Sequence, residues 1–235
     1  MEAKDYRRIA RENLANNWAL SIGVAVLASM LGGLLVGGSF IPDINFTQEV
    51  TQFSTDLFGG DLRISFEPES ALNLLHFILG GVIQLGYVQY LLKQYNKASL
   101  EVKDLFSQFE RFGQGFAQAF LRGLYTFLWG LLFVIPGIVK SYSYAMTPFI
   151  MADHPEMTAS EAINASKAMM DGHKADLFWL DLTFIGWDLL AALTLNLGHI
   201  ALNPYKNAAR TAFYRDISRP NPEYFQQSNP SGPEF

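Results

Sequence analysis

The chain has 235 residues, half of them hydrophobic and only 17% charged, against roughly a quarter charged in ordinary soluble domains. It contains no cysteine, which excludes disulfides, thiolate catalysis and cysteine-based zinc or iron–sulfur centres. The net charge of −5 is concentrated in residues 42–71, where Asp43, Glu49, Asp56, Asp61, Glu67 and Glu69 face Arg63 alone; the remainder balances, and no basic patch interleaved with aromatics points to nucleic acid.

Hydropathy read in windows gives an all-α chain: a polytopic transmembrane bundle of about six helices forming a single domain over 1–219. The first uncharged run, 18–41, is longer than the apolar core of a signal peptide and lacks a clear A-x-A site, so it reads as an uncleaved anchor. The acidic stretch 42–70 follows as an extracellular loop. A second run covers 71–92 and includes Asn73, His76 and Gln84. The third, 116–135, carries Arg122 close enough to its start to snorkel towards the interface.

Pro136 and Gly137 then read as a hinge, because proline lacks an amide donor and glycine adds backbone freedom. Beyond them 138–152 is short for a crossing, and reads as a tilted span or a re-entrant segment. Residues 177–197 make the fifth span. The sixth, 199–217, contains Lys206 and Arg210, so it either crosses as a buried helix or lies at the cytoplasmic surface. The tail 220–235 is rich in Pro, Asn, Ser and Gln and reads as disordered.

Lysine and arginine near the span ends set the orientation. Lys4, Arg7, Arg8 and Arg11 precede the first span; Lys93, Lys97, Lys103 and Arg111 follow the second; Lys206, Arg210, Arg215 and Arg219 cluster late. All fit the cytoplasm if the acidic loop is outside, which makes a multi-pass cell-membrane protein with a cytoplasmic N-terminus. Lys167 and Lys174 put the loop after 152 inside too, so the parity closes only with a sixth crossing. In that loop Thr158 and Glu161 match a capping box, and Gly172 stands where the helix would stop. Over 159–172, Ala162, Ile163, Met169 and Met170 share one face, opposite Glu161, Asn164, Lys167 and Asp171. This predicts a cytoplasmic amphipathic helix lying at the interface, with packing under the bundle as the alternative.

Several ordered blocks resemble a known family. They are LFSQFERF at 105–112, FLWGLLFVIPGIVKSYSYAMTPFIMAD at 127–153, EAINASKAMMDGHK at 161–174, LFWLDLTFIGWDLL at 177–190, and LNPY with AFYRD within 202–216; ARENLANNW at 10–18 fits as well. Together they resemble the bacterial membrane family catalogued as domain of unknown function 975. A looser similarity reaches the membrane domains fused to some glycerophosphodiester phosphodiesterases. The resemblance implies a six-helix type of membrane fold and carries no catalytic residues.

Ionisable groups inside a membrane segment are functional candidates by default. Lys140, Asp181, Asp188 and His199 form the candidate intramembrane polar site. On a continuous helix Asp181, Asp188 and His199 would share one face, with Asn196 nearby, as a proton relay or cation site would require. The competing reading is structural: the carboxylates pair with Lys140, Arg122 or Lys206 and fix helix register. Ser141, Tyr142, Ser143 and Tyr144 after the hinge suit either a broken-helix transporter site or interhelical glue. His76, His154, His173 and His199 have no metal-ligand spacing, and no hydrolase, nucleotide or dinucleotide motif is present, so no catalytic, metal or cofactor residue is assigned. The functional expectation is a non-enzymatic scaffold or accessory factor of the cell envelope, with a secondary transporter or channel as its rival. The partners expected are the lipid bilayer and another membrane protein or a second copy of this chain.

The topology is testable because the chain lacks cysteine. Single cysteines at Thr55, Ser99 and Ser228, probed on intact cells with an impermeant thiol reagent, should react at Thr55 alone. Labelling at Ser99 would overturn the orientation, and labelling at Ser228 the sixth crossing.

Overall fold

The computed structural model describes residues 1–15, 17–32, 68–132, 134–194 and 197–219, and every regular element among them is helical. The order is α1 (Ala3–Leu14), α2 (Trp18–Gly32), α3 (Pro68–Tyr95), two 3₁₀ turns (Val102–Phe106 and Phe109–Arg111), α4 (Phe112–Leu132), α5 (Val134–Ser143), α6 (Thr147–Asp153), α7 (Ala159–Met169), α8 (Lys174–Leu182), α9 (Ile185–Leu193) and α10 (Leu197–Ser218). The all-α expectation holds for these residues. No single described helix is long and apolar enough to cross a membrane; α1 and α2 taken together are a bent pair that passes by length and composition. The acidic loop up to residue 67, residues 33–41 of the 18–41 run, Asn196 and the tail 220–235 lie outside the described residues.

α3 is the central post, because it buries two faces. Leu85, Val88 and Leu92 recur at helical spacing and join a core built with α1 and α5–α10; Ile83, Tyr87 and Tyr90 face a second core with α2 and the first 3₁₀ turn. Close approach on both sides depends on glycine. A Cβ on Gly81 would stand 2.2 Å from the Gly115 carbonyl oxygen of α4, and one on Gly86 would stand 1.8 Å from the Leu105 carbonyl oxygen. α3 ends in a Schellman turn, with Ala98 N–H donating to the Lys93 carbonyl at 3.0 Å and Lys97 N–H to that of Gln94 at 3.1 Å. The left-handed residue of this turn is Lys97, at φ 55, where glycine is usual and a side chain costs roughly 1–2 kcal/mol.

Three antiparallel pairs recur along the chain, beside extensive packing of α1 on α10 and of α3 on α4. Ser21 meets Tyr90 and Met30 meets His76 between α2 and α3; Gly130 lies against Gly137 and Trp129 against Lys140 between α4 and α5; Ala191 lies against Gly198 between α9 and α10. The α4–α5 hairpin corrects the hinge. α4 ends at Leu132 and α5 begins at Val134, so Pro136 lies in the first turn of α5, where its missing amide has no intrahelical acceptor to lose. Gly137 serves proximity rather than freedom: a Cβ there would be 2.9 Å from Gly130 Cα.

Two expected spans are divided. The run 138–152 comprises α5 and α6, separated by a turn at 144–146, and 177–197 holds α8 and α9. At the second break the Thr183 hydroxyl donates to the Leu180 carbonyl at 2.7 Å, competing with the helical ladder. The sixth, 199–217, lies in one helix, α10, with Pro204 inside it.

α7 starts as its sequence predicts: Glu161 N–H donates to the Thr158 hydroxyl, and Thr158 N–H returns 2.7 Å to Glu161 Oε2. Those backbone and hydroxyl donors hold the Glu161 carboxyl below its usual range. Gly172, at φ 80, closes the turn that follows. The apolar face does not lie on lipid. Ala162 and Met169 are fully buried in the main core, with α4 and α6 packed against this helix, so packing under the bundle replaces the interfacial placement.

The glycine contacts set a clear expectation. Gly86→Ala and Gly137→Ala should each destabilise the protein in detergent by about 1–3 kcal/mol through overpacking. Gly113→Ala, with nothing within 4 Å of its Cβ, should be neutral or stabilising. Pro136→Ala should cost no more than about 1 kcal/mol. Thermal melts of the four variants check this; a large loss for Pro136→Ala would restore the proline as the structural break.

Candidate functional site

α10 presents a stripe of donors at successive turns, and each meets an acid from a different helix. Lys206 Nζ lies 3.0 Å from both carboxylate oxygens of Asp188 on α9. Arg210 reaches Asp181 Oδ1 on α8 through Nη2 at 2.8 Å and Nε at 3.1 Å. Arg215 takes Asp153 at the end of α6 in a two-pronged contact of 2.8 and 3.1 Å, and Tyr214 adds its hydroxyl at 3.0 Å. Below these, Asp216 accepts from Tyr6 of α1 at 2.6 Å. Burial and that carboxylate together push the Tyr6 phenol well above its ordinary pKa, so it remains a donor.

These pairs are held away from solvent: the Lys206 side chain is 7% exposed and Asp188 18%, Arg210 11% and Asp181 7%. Charges so buried are retained only with partners and hydrogen bonds, since desolvation would otherwise exceed their attraction. Asp181 has a second partner, the Tyr142 hydroxyl, which donates to Oδ2 at 3.2 Å and ties α5 into the set.

The four sequence candidates separate. Asp188 and His199 come together, with His199 Nε2 3.6 Å from Asp188 Oδ1. Asp181 has a different cation, and the break between α8 and α9 interrupts the continuous face that a relay of Asp181, Asp188 and His199 would use. Lys140 stands apart from both: its ammonium sits 4.6 Å above the Trp129 ring across the α4–α5 hairpin, a cation–π contact. Of the cations weighed as partners, Lys206 pairs with Asp188, whereas Arg122 donates to Gln84 on α3 at 3.0 Å.

Sequence reasoning missed Arg210 and Asp153 as partners, and weighed Tyr142 as a site residue or interhelical glue without pairing it with Asp181. The signal for Arg210 was present, since it stands four residues after Lys206 on one helix face while Asp181 precedes Asp188 by two turns. The packing of α9 against α10 brings the two acids to the two bases in that order. Asp153 gave no such signal, because its pairing depends on the bend between α5 and α6.

The arrangement pairs each of these cations with an acid from another helix. Asp181→Asn or Arg210→Gln alone should cost about 3–5 kcal/mol, and the double substitution should recover part of that loss. The measurement is a double-mutant cycle by thermal unfolding in detergent. Additive losses would show that the two side chains are not coupled.

Residues 131–221 match a family model described as Protein of unknown function (DUF975). The LFSQFERF and ARENLANNW blocks fall outside the matched stretch. No curated protein and no solved structure matches the chain, and nothing found supports the looser likeness to phosphodiesterase membrane domains. The matched stretch holds α8, α9 and α10 with their paired acids and bases, and it is over these residues that the chain is similar to the DUF975 family.

Proposed function

We propose that this chain is an integral membrane protein whose buried ion pairs assemble a rigid bundle, and that it serves as a non-enzymatic scaffold or accessory factor of the cell envelope. One observation carries the reading: the polarity of α8 and α9 is inverted. Their outward positions Phe178, Trp179, Ile185, Trp187, Leu189 and Leu190 are 44–66% exposed, while Asp181 and Asp188 point inward to cations. Met30, Leu124, Leu128, Trp129 and Val139 continue the exposed apolar surface on α2, α4 and α5. Water disfavours such a surface, and hydrocarbon disfavours any charge that is not turned inward and paired. A lipid environment satisfies both.

The scaffold reading is favoured over transport because the intramembrane acids are already saturated by lysine, arginine and tyrosine. A carrier site needs a group that exchanges its partner. The test is reconstitution. Wild type and Asp188→Asn should remain with the membrane through an alkaline wash. In proteoliposomes both should give the same proton and cation leak, with Asp188→Asn melting lower. A flux lost in Asp188→Asn at unchanged stability would overturn the scaffold in favour of a transporter.

A further inference from the structure

One cation inside the bundle is treated unlike its neighbours. Lys206, Arg210 and Arg215 each meet an acid, and Lys140 lies over the Trp129 ring. Arg122, midway along α4, turns to α3 and meets neutral amides instead. Its Nη2 donates to Gln84 Oε1 at 3.0 Å, and the Gln118 amide N–H shares that oxygen at 3.3 Å. No carboxylate among the described residues stands within ion-pair distance of it. An amide oxygen orients a guanidinium without neutralising it, so a whole positive charge is left in a site largely withdrawn from water.

That charge is also reachable. The remaining N–H groups of Arg122 have no acceptor among the described residues, and unlike Arg215 Nε they are not sealed from the surface. Arg122 and Gln84 are both partly exposed, so the groove between α3 and α4 is open at this point. The residue type narrows the class of ligand. A guanidinium presents planar N–H pairs that match two oxygens of one anion, where a lysine would offer only a point charge.

We infer that the α3–α4 groove binds an oxyanion of the phosphate class on Arg122, with Gln84 holding the guanidinium in place. A free anion and the phosphate of a lipid head group share this chemistry. The lipid source rests on the membrane reading above. Because Gln118 shares the acceptor, the guanidinium is drawn back toward the Arg111 end of α4, the end from which a head group would approach.

The experiment uses the full chain in two settings. In non-ionic detergent, inorganic phosphate is titrated into delipidated protein against chloride at equal ionic strength, and thermal stability is followed. In nanodiscs, phosphatidylglycerol is compared with the phosphate-free lipid digalactosyldiacylglycerol. Wild type should melt higher with the phosphate group in at least one setting. A shift in the nanodiscs alone assigns the lipid, and a shift with inorganic phosphate assigns the free anion. Arg122→Gln should bind at least about tenfold more weakly, because the charged contact is gone. Delipidated and without phosphate, the same variant should melt at or above wild type, since an uncompensated charge is removed and glutamine still donates to Gln84. Arg122→Lys, which keeps the charge and loses the planar pair, should respond more weakly than wild type. A stability that does not depend on phosphate through Arg122 in either setting overturns the proposal. So does an Arg122→Gln protein that melts below wild type without the anion, which would make Arg122 a structural donor to Gln84. A phosphate response by a chain that an alkaline wash strips from membranes leaves this site standing while the membrane reading falls; a chain that stays with the membrane and gives no response loses only the site.

Discussion

The constraint on which the bundle depends is that α10 carries three cations along a helix that packs against α1, α2, α3, α8 and α9. Lys206, Arg210 and Arg215 cannot be buried alone at tolerable cost, so acids must come to them. They come from α9, α8 and α6, which places three short helices against one long one in a fixed order. The pairs need not contribute much net stability to matter. Misaligning α8–α9 on α10 by one turn would strand both members of two pairs, so register is chosen by the penalty on the alternatives. Buried aromatics close around the same helix: Phe149 stacks on Tyr214 with centroids 5.4 Å apart, and Tyr6 meets Phe213 edge-on at 5.4 Å.

How much of this could be read from residues alone differs from element to element. α7 was legible almost to its ends, because Thr158, Glu161 and Gly172 act within one or two turns of the chain. Its placement was not, since an apolar face looks the same whether protein or lipid covers it. α3, α4 and α10 announce themselves as long segments of helical text. The divisions between α4 and α5, at 144–146 and at 183–184 were harder to read. Proline drew attention to 136, but a proline in the first turn of a helix marks a beginning, and the actual end of α4 has no such punctuation.

The candidate site shows the same pattern. Asp181 and Asp188 were visible because acids are rare in apolar text. Their partners were not, since a partner across an antiparallel pair depends on where the chain turns. Lys140 misled for the reason that makes a charge inside an apolar run conspicuous: sequence shows the charge and not the ring beside it. Trp129 is eleven positions earlier, and only the α4–α5 hairpin brings them together. Glycine was read as freedom at 137, whereas there and on α3 its absent side chain lets backbones touch.

Ser166 has a consequence for biosynthesis. Its hydroxyl accepts the Met146 amide at 3.2 Å and donates to the Ser143 carbonyl at 2.8 Å, and all three residues are buried. The bend between α5 and α6 thus borrows its hydrogen bonds from a helix some twenty residues downstream. A growing chain that has emerged only as far as Asp153 has no protein group to satisfy those two backbone atoms, and in an apolar environment each unsatisfied atom is costly. The hydrogen bonding of this bend is therefore complete only once α7 has been synthesised and has docked. The later helix thus completes the bend between the earlier pair.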